Sequence, residues 1–173
     1  VFYPPAKIVQ SMPFTRRTAV RTLATAGVFG VAGCLGSSNA HSWDLEENVA
    51  IANAQQYNAP GCGCCKQYAS YLRDNIDGEL AETVPEDIVR VKEKYNVPED
   101  LRSCHTLVLE DYVVEGHVPV QVIGKLLTET PSIDGVALPG MPAGTPGMGG
   151  TKQGPWTVYA IGGEQAQETY VEL

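Results

Sequence analysis

A cluster of three cysteines, Cys62, Cys64 and Cys65, is the feature that most constrains the fold of this chain. It follows a Pro- and Gly-containing break at residues 58–61 and precedes a segment with apolar residues at helical spacing. A helix N-terminus favours the thiolate, which is both a nucleophile and a metal ligand. A disulfide within so short a segment closes a very small loop and adds little stability. The cluster therefore favours metal binding, with a redox couple or a structural disulfide as the alternatives.

The remaining soft donor atoms are also confined to short motifs. Beyond residue 34 the chain has four cysteines and two methionines, and every one lies in the cysteine cluster, in Ser103-Cys104-His105, or in Pro-Gly-Met loops at 139–142 and 146–149. Thiolate, thioether and imidazole suit a soft ion, and a thioether ligand favours Cu(I) over zinc. The candidate metal ligands are Cys62, Cys64, Cys65, Cys104, His117, Met141, Met148 and His105.

The two histidines are not equivalent candidates. Adjacent residues of a strand face opposite sides, so Cys104 is the stronger ligand candidate and His105 the weaker, with a supporting or capping role as its alternative. His117 stands between a predicted strand and a helix beginning at Pro119, where a histidine is often only a cap. Its closeness to Cys104 across a short hairpin favours a ligand role. The three clustered cysteines would spread around a regular helical turn, with Cys64 roughly 200° from Cys62, which predicts either an irregular loop or more than one ion.

Apolar periodicity predicts an α/β domain with the order β-α-β-α-β-β-α, followed by a Gly/Pro/Met loop and short closing strands. Strands are expected at 49–57, 79–84, 106–109, 112–115, 136–138, 156–161 and 168–173, helices at 63–74, 85–95 and 119–128, and a turn at 75–78. A cysteine cluster at the first strand-to-helix junction resembles the thioredoxin-like fold. In that fold a loop, usually holding a cis-proline, faces the cysteines; here Ser103-Cys104-His105 takes its place and would add a fourth thiol and an imidazole.

Residues 1–33 have the composition of an export signal. They carry four basic residues and no acid, and Arg16-Arg17 forms a twin-arginine pattern before an apolar run at 23–32 that is too short to span a membrane. The run ends at Cys34 in a sequence that resembles a lipobox. We expect cleavage before Cys34, lipidation of that cysteine, and anchoring to the outer face of the cytoplasmic membrane. An unlipidated signal or a short buried helix is the alternative.

The segment boundaries follow from this interpretation. Residues 1–11 precede Met12 and do not look like the start of a signal, so Met12 is the expected initiator. Residues 34–48 are expected to form the lipidated cysteine and a spacer. Residues 49–173 are enough for one domain with its own core.

Charge excludes one class of partner. Without the four basic residues of the leader, the chain keeps 8 basic against 20 acidic residues, a net charge of about −12. Such a surface does not bind nucleic acid through a basic face. It suits a protein that must stay soluble in high salt. The motifs of phosphate-binding loops, dinucleotide-binding folds and serine hydrolases are also absent from the sequence.

Four motifs in this order and spacing resemble the CopG-like copper-resistance family, an extracytoplasmic family long catalogued as a domain of unknown function. The motifs are Ala59-Pro60-Gly61-Cys62-Gly63-Cys64-Cys65, Ser103-Cys104-His105-Thr106, Glu115-Gly116-His117-Val118-Pro119 and Leu138-Pro139-Gly140-Met141-Pro142. The match spans residues 49–173. The resemblance implies a thioredoxin-like fold and cysteine-bridged copper binding through Cys62, Cys64, Cys65, Cys104 and His117, with Met141 and Met148 nearby.

The expected function is copper handling or resistance outside the cytoplasm, by binding Cu(I) at a thiolate-rich, multinuclear site. Its partners would be copper ions, another copper-trafficking protein and, through the lipid anchor, the membrane. We expect binding without substrate turnover. A thiol–disulfide oxidoreductase using Cys62 and Cys65 and a structural zinc site of the Cys3His type are the alternatives.

Overall fold

The predicted order of strands and helices is present in the computed structural model, which describes residues 48–173. The strands of this part are β1 (Val49–Asn58), β2 (Ile76–Thr83), β3 (His105–Leu109), β4 (Tyr112–Gly116), β5 (Gly135–Leu138), β6 (Thr157–Ile161) and β7 (Thr169–Glu172). The helices are α1 (Gly63–Asn75), α2 (Ile88–Lys94), α3 (Val120–Glu129) and a short 3-10 turn at Glu99–Leu101. The expected export signal and Cys34 lie outside the described residues.

The strands form one mixed sheet in the order β2-β1-β3-β4-β5-β6-β7. β1 and β2 are parallel, and β3 runs antiparallel to both β1 and β4. This arrangement of the first four strands, with the helices in the expected order, confirms the thioredoxin-like core. β5 continues the sheet parallel to β4, and β6 and β7 close it in antiparallel fashion.

Apolar residues alternate between the two faces of the sheet, as strand geometry requires. On one face, α1 and α3 bury a large core that includes Tyr68, Leu72, Ile123, Leu126, Val114, Val136 and Ala160. The neighbouring strand residues point to the opposite face, where they form a smaller cluster of Val97, Leu101, Val113, Ala137 and Ile161. Both faces are therefore covered, and the ends of β1, β3 and β4 are fixed where the sulfur-containing motifs begin.

The second strand begins earlier than the sequence indicates, so the turn predicted at 75–78 is wrong. Ile76 is 4% exposed and belongs to the core, which draws the chain into the sheet directly after α1. Gly78 has φ +150°, and a Cβ there would lie 1.7 Å from the Ile51 carbonyl oxygen. The register of β1 against β2 shifts at this place. The bulge lies in β1, where Ile51 and Ala52 oppose the single residue Gly78, so this glycine belongs to a strand rather than to a turn.

The second helix begins at Ile88 instead of at Pro85, which was the predicted start. The Asp87 carboxylate accepts the backbone N–H groups of Val89 and Arg90 and so provides the N-cap. Asn96, with φ 56°, follows the end of the helix. The helix is shorter than predicted because Asp87, and not the residue before Pro85, caps its N-terminus.

The β3–β4 hairpin confirms the predicted two-residue connection at Glu110-Asp111. Leu109 pairs with Tyr112, and Thr106 pairs with Glu115. The beginning of β3 and the end of β4 consequently lie side by side, which brings the segments containing Cys104 and His117 together.

Among the described residues, no helix is both long enough and apolar enough to cross a bilayer.

Candidate metal centre

The first three cysteines lie at the N-terminus of α1. Cys62 is the N-cap residue, with an extended backbone, and its Sγ accepts the backbone N–H of Cys65 at 3.2 Å. Cys62 and Cys65 form a disulfide, whereas Cys64 and Cys104 are free. Cys62 is half-buried and Cys65 is fully buried. The structure thus contains a disulfide within the cluster, which the sequence left as an alternative to metal binding, either as a redox couple or as a structural bridge.

The three cysteines are closer together than a regular helical turn would allow. Because Cys62 precedes the helix and has φ −72° and ψ 101°, its side chain turns toward that of Cys64. The Sγ atoms of Cys62 and Cys64 are 3.4 Å apart. Of the two alternatives that the helical spacing left open, the irregular loop is present, and the irregularity lies at Cys62.

Cys104 faces this cluster from the loop before β3. Its Sγ lies 3.7 Å from that of Cys64, and its carbonyl accepts the backbone N–H of Ala59 at 3.0 Å. β1 and β3 are adjacent, with Asn58 paired to His105, so the two loops are neighbours in space. The sulfur atoms of Cys62, Cys64, Cys65 and Cys104 all lie within 4.8 Å of one another.

His117 completes one side of the centre. Its Nε2 lies 3.5 Å from Cys104 Sγ, and its Nδ1–H donates to the carbonyl of Pro146 at 2.7 Å. This hydrogen bond fixes the tautomer in which the unprotonated Nε2 faces the cysteines, as in many histidine metal ligands. Burial lowers the pKa of His117, although the bond to Pro146 opposes that shift. The ring is therefore a neutral donor at physiological pH.

His105 is closer to the centre than strand alternation predicts. β3 begins at His105, so Cys104 is a loop residue and the two side chains need not point in opposite directions. His105 Nδ1 lies 3.5 Å from Cys104 Sγ, and the ring is fully buried 4.7 Å from the ring of His117. Its Nε2 has no hydrogen-bond partner among the described residues. Burial, then the nearby His117 and Lys92, hold the pKa of His105 well below its ordinary value.

The second Pro-Gly-Met loop packs directly on α1. Gly147 has φ +76°, and a Cβ there would lie 2.5 Å from the backbone nitrogen of Tyr68. Such close contact requires glycine and places Pro146 over His117. Met148 is half-buried on this same loop, whereas the side chain of Met141 is 42% exposed. The loop therefore supports the histidine through its backbone, and the ligand role of both thioethers stays a prediction.

Tyr68 contacts both histidines of the candidate centre, although the helical spacing of Tyr68, Tyr71 and Leu72 indicates only a core position for it. Its hydroxyl donates to the carbonyl of Val118 at 2.7 Å, and its ring lies 4.5 Å from that of His105 and 5.3 Å from that of His117. Burial raises the pKa of Tyr68 well above its ordinary value, so the phenol stays protonated. Its position three residues after Cys65 on the apolar side of α1 is the signal that could have identified it.

The donor set fits a soft metal ion. With the disulfide closed, two thiols and two neutral imidazoles remain free, at Cys64, Cys104, His105 and His117. Burial, then the proximity of Cys64, raises the pKa of the Cys104 thiol to about 11. A metal ion must therefore displace a proton to bind there.

A groove of about 210 Å³, lined in part by Cys62, Lys66 and Val84, opens beside the disulfide.

Comparisons with known proteins agree with this arrangement. The family model described as "Protein of unknown function, DUF411" matches residues 101–148, the segment from the loop before Cys104 to Met148. No curated protein sequence matches the chain. Among solved structures, form 1 of the copper resistance protein CopG is 34% identical, over 71% of this chain and 98% of that one, with a TM-score of 0.64.

Form 2 of the same copper resistance protein is 33% identical, over 73% of this chain and 99% of that one, with a TM-score of 0.63. Both alignments cover nearly the whole of the relative. The share of this chain that they cover is about the share that residues 48–173 make up. Sequence identity and fold therefore agree over one common domain, and the chain belongs to the family of the copper resistance protein CopG.

Proposed function

We propose that this chain is an extracytoplasmic copper-binding protein that serves in copper handling or resistance and binds Cu(I) at a thiolate-rich, multinuclear site. The observation that carries the proposal is the position of Cys104. Its sulfur belongs to the group of four cysteines and also to a second group with His105 and His117, with the candidate donor atoms in each group within 4.8 Å of one another.

The sharing of Cys104 supports more than one ion. A mononuclear zinc site of the Cys3His type needs four ligands and would leave two of these six donor residues unused. A thiolate common to two groups of donors can bridge two ions instead. Thiolates suit Cu(I), and neutral imidazoles add donors without increasing the negative charge. The relatives with solved structures are described as copper resistance proteins, which supports copper as the ion.

Full use of the four sulfur atoms depends on the state of the Cys62–Cys65 pair. In the disulfide these two sulfurs are not thiolates. Two electrons and two protons, supplied by a dithiol such as an exported reductase, would convert the pair into two thiols. We propose that the reduced protein is the form that takes up copper, with Cys62, Cys64, Cys65 and Cys104 as thiolate ligands and His117 as an imidazole ligand.

Metal analysis tests the proposal directly. The domain would be purified under reducing conditions without added metal, titrated with Cu(I) against a chelator, and analysed for bound copper and zinc. We expect more than one Cu(I) per chain and preference for copper over zinc. A single tightly bound zinc ion that Cu(I) does not displace would favour the structural zinc site and contradict the proposal.

A thiol–disulfide oxidoreductase is the second candidate, and the Cys62–Cys65 disulfide at the start of α1 favours it. A substrate thiolate would attack the half-exposed Cys62 sulfur, form a mixed disulfide and release Cys65 as the thiolate. Such an enzyme does not need Cys104 or His117. An insulin-reduction assay on Cys104→Ser and His117→Ala separates the candidates: unchanged turnover with unchanged copper affinity would favour the enzyme.

We also propose that the mature protein is exported and held at the outer face of the cytoplasmic membrane by lipidated Cys34. The twin-arginine pair Arg16-Arg17, the apolar run and the cysteine occur in the order that such a signal requires. This location would place the copper site among exported copper-trafficking proteins, to which a bound ion could be passed.

A further inference from the structure

A buried ion pair lies beside the loop that carries Cys104. Lys92 of α2 and Glu115 of β4 are joined at 2.5 Å, and their side chains are 4% and 0% exposed. Two charges in such a place are costly to desolvate, and a pair of apolar residues would often serve stability equally well. The contacts of the pair point to a role beyond stability.

The Glu115 carboxylate accepts three hydrogen bonds. One comes from Lys92, one from the hydroxyl of Thr106 at 2.7 Å, and one from the backbone N–H of Ser103 at 2.5 Å. Thr106 in turn accepts a hydrogen bond from Lys92 at 3.0 Å. The lysine therefore holds the carboxylate from α2, and the carboxylate holds the backbone of the residue immediately before Cys104.

The other side of Cys104 is fixed as well. Its carbonyl accepts the backbone N–H of Ala59, at the end of the segment that leads to the cysteine cluster. Gly116 contributes by close contact, because a Cβ there would lie 3.1 Å from the Cβ of Ser103 and 2.5 Å from the Leu138 carbonyl oxygen. These contacts hold the loop on both sides of Cys104.

We propose that Glu115, oriented by Lys92, is the positioning residue for Cys104. It fixes the loop at the distance at which the Cys104 sulfur meets Cys64 and His117. Glu115 belongs to neither group of candidate ligands among the described residues, so its action passes through the Ser103 amide and not through the metal. The inference rests on the proposed copper function and adds the pair to it as a determinant of affinity.

Two double variants separate positioning from mere burial of charge. Lys92→Met with Glu115→Gln removes both charges together, but the amide oxygen of Gln can still accept the Ser103 N–H. Lys92→Met with Glu115→Leu removes the acceptor as well. Because each variant eliminates the whole ion pair, neither leaves an unpaired buried charge. Thermal unfolding and circular dichroism would establish that both are folded before copper is added.

Two readouts follow Cys104 itself. The first is Cu(I) affinity by chelator competition, together with the ultraviolet thiolate-to-copper absorption band. We expect the Leu double variant to bind about 10- to 100-fold more weakly than the parent, as is typical when a residue supporting a metal ligand is lost, and the Gln variant to recover most of the affinity. The second is the rate at which iodoacetamide labels Cys104 in the reduced, metal-free protein, which should rise only in the Leu variant.

The outcomes are distinguishable. Equal copper affinity and equal Cys104 labelling in the two double variants would overturn the positioning role. If the parent protein binds no copper, the proposed function fails, while the labelling rates still test whether Glu115 positions Cys104.

If the Leu double variant does not fold, Lys92→Met with Glu115→Met provides the test, because the flexible methionine side chain is close to glutamate in size but cannot accept the Ser103 N–H. An unchanged copper affinity and an unchanged labelling rate in this variant would also overturn the role.

Discussion

Cys104 is the single residue on which most of the candidate centre converges. Its sulfur lies 3.7 Å from Cys64, 3.5 Å from His105 and 3.5 Å from His117. In addition, Cys65 Sγ lies 3.6 Å from the Cys104 carbonyl oxygen. Substitution of Cys104 therefore removes a donor atom from both sets, the four cysteines and the set with His105 and His117. Substitution of Cys62 removes a donor atom only from the four cysteines.

The first prediction concerns this residue. Cys104→Ser should lower the number of Cu(I) ions bound per chain at least as much as Cys62→Ser, because it removes the thiolate common to both donor groups. Copper analysis after gel filtration under reducing conditions measures the stoichiometry. Asp74→Ala, an exposed change near the far end of α1, is the control and should keep the full complement. Full stoichiometry in Cys104→Ser would contradict the bridging role.

The second prediction concerns the pH dependence of folding in the metal-free protein. The pKa values of His105 and His117 are both lowered in the folded state, chiefly by burial, so the unfolded chain binds more protons below its ordinary histidine pKa. The free energy of unfolding should be fully retained above that value and should fall as the pH decreases from about 6.5 to 5, by up to about 1.4 kcal/mol per pH unit for each histidine. Urea unfolding at several pH values measures the slope.

His117→Gln keeps a polar group near Pro146 but does not titrate, so its slope should be shallower than that of the parent protein. An identical slope would mean that the acid sensitivity arises elsewhere.

At the level of secondary structure, the second Pro-Gly-Met loop acts through its backbone. Pro146 accepts the hydrogen bond that fixes the His117 tautomer, and Gly147 allows the loop to approach Tyr68 on α1. Met148 donates its backbone N–H to Thr145 at 2.8 Å, which stabilises the turn between them. The loop, α1 and the end of β4 thus form one support for the imidazole.

The third prediction tests this support. Gly147→Ala should destabilise the fold by about 1–3 kcal/mol, because the new Cβ would overlap the backbone of Tyr68 at a left-handed φ. It should also weaken copper binding by displacing Pro146 from His117. Gly149→Ala is a matched control on the same loop, since a Cβ there has no neighbour within 4 Å and the residue is not in the left-handed region. Chemical unfolding and a Cu(I) titration measure the two effects, and equal behaviour of the two variants would contradict the prediction.

For the molecule as a whole, copper handling and attachment to the membrane should be separable. The fourth prediction is that Cys34→Ala releases the protein from the membrane fraction without changing the copper affinity of the domain. The residues that hold the candidate centre all lie between Cys62 and Met148, far along the chain from Cys34. Cell fractionation and a Cu(I) titration of the released protein measure both properties. Membrane association that persists in the variant would contradict the lipid anchor.

The sequence by itself determined the order of the elements and the class of the site. The spacing of apolar residues predicts the strands and helices because each element must bury one face. The predicted bounds lie within a few residues of the observed ones. The restriction of the sulfur atoms to short motifs indicates a soft-metal or redox centre. The resemblance to the thioredoxin-like fold implies that the loop before β3 lies opposite α1. These features depend on local pattern and on chain connectivity, which a sequence records.

Only the tertiary structure decided the details that depend on non-local contacts. β2 begins earlier than predicted because Ile76 is buried in the core. The extended backbone at Cys62 brings its sulfur close to that of Cys64. His105 joins the centre because the strand begins with it, after the loop residue Cys104. Lys92 and Glu115 meet only when α2 packs on the sheet, and nothing in their local sequence distinguishes them from solvated charges. The Lys92–Glu115 pair and the core contacts of Ile76 join residues distant in the chain, so their energies cannot be read from spacing along it.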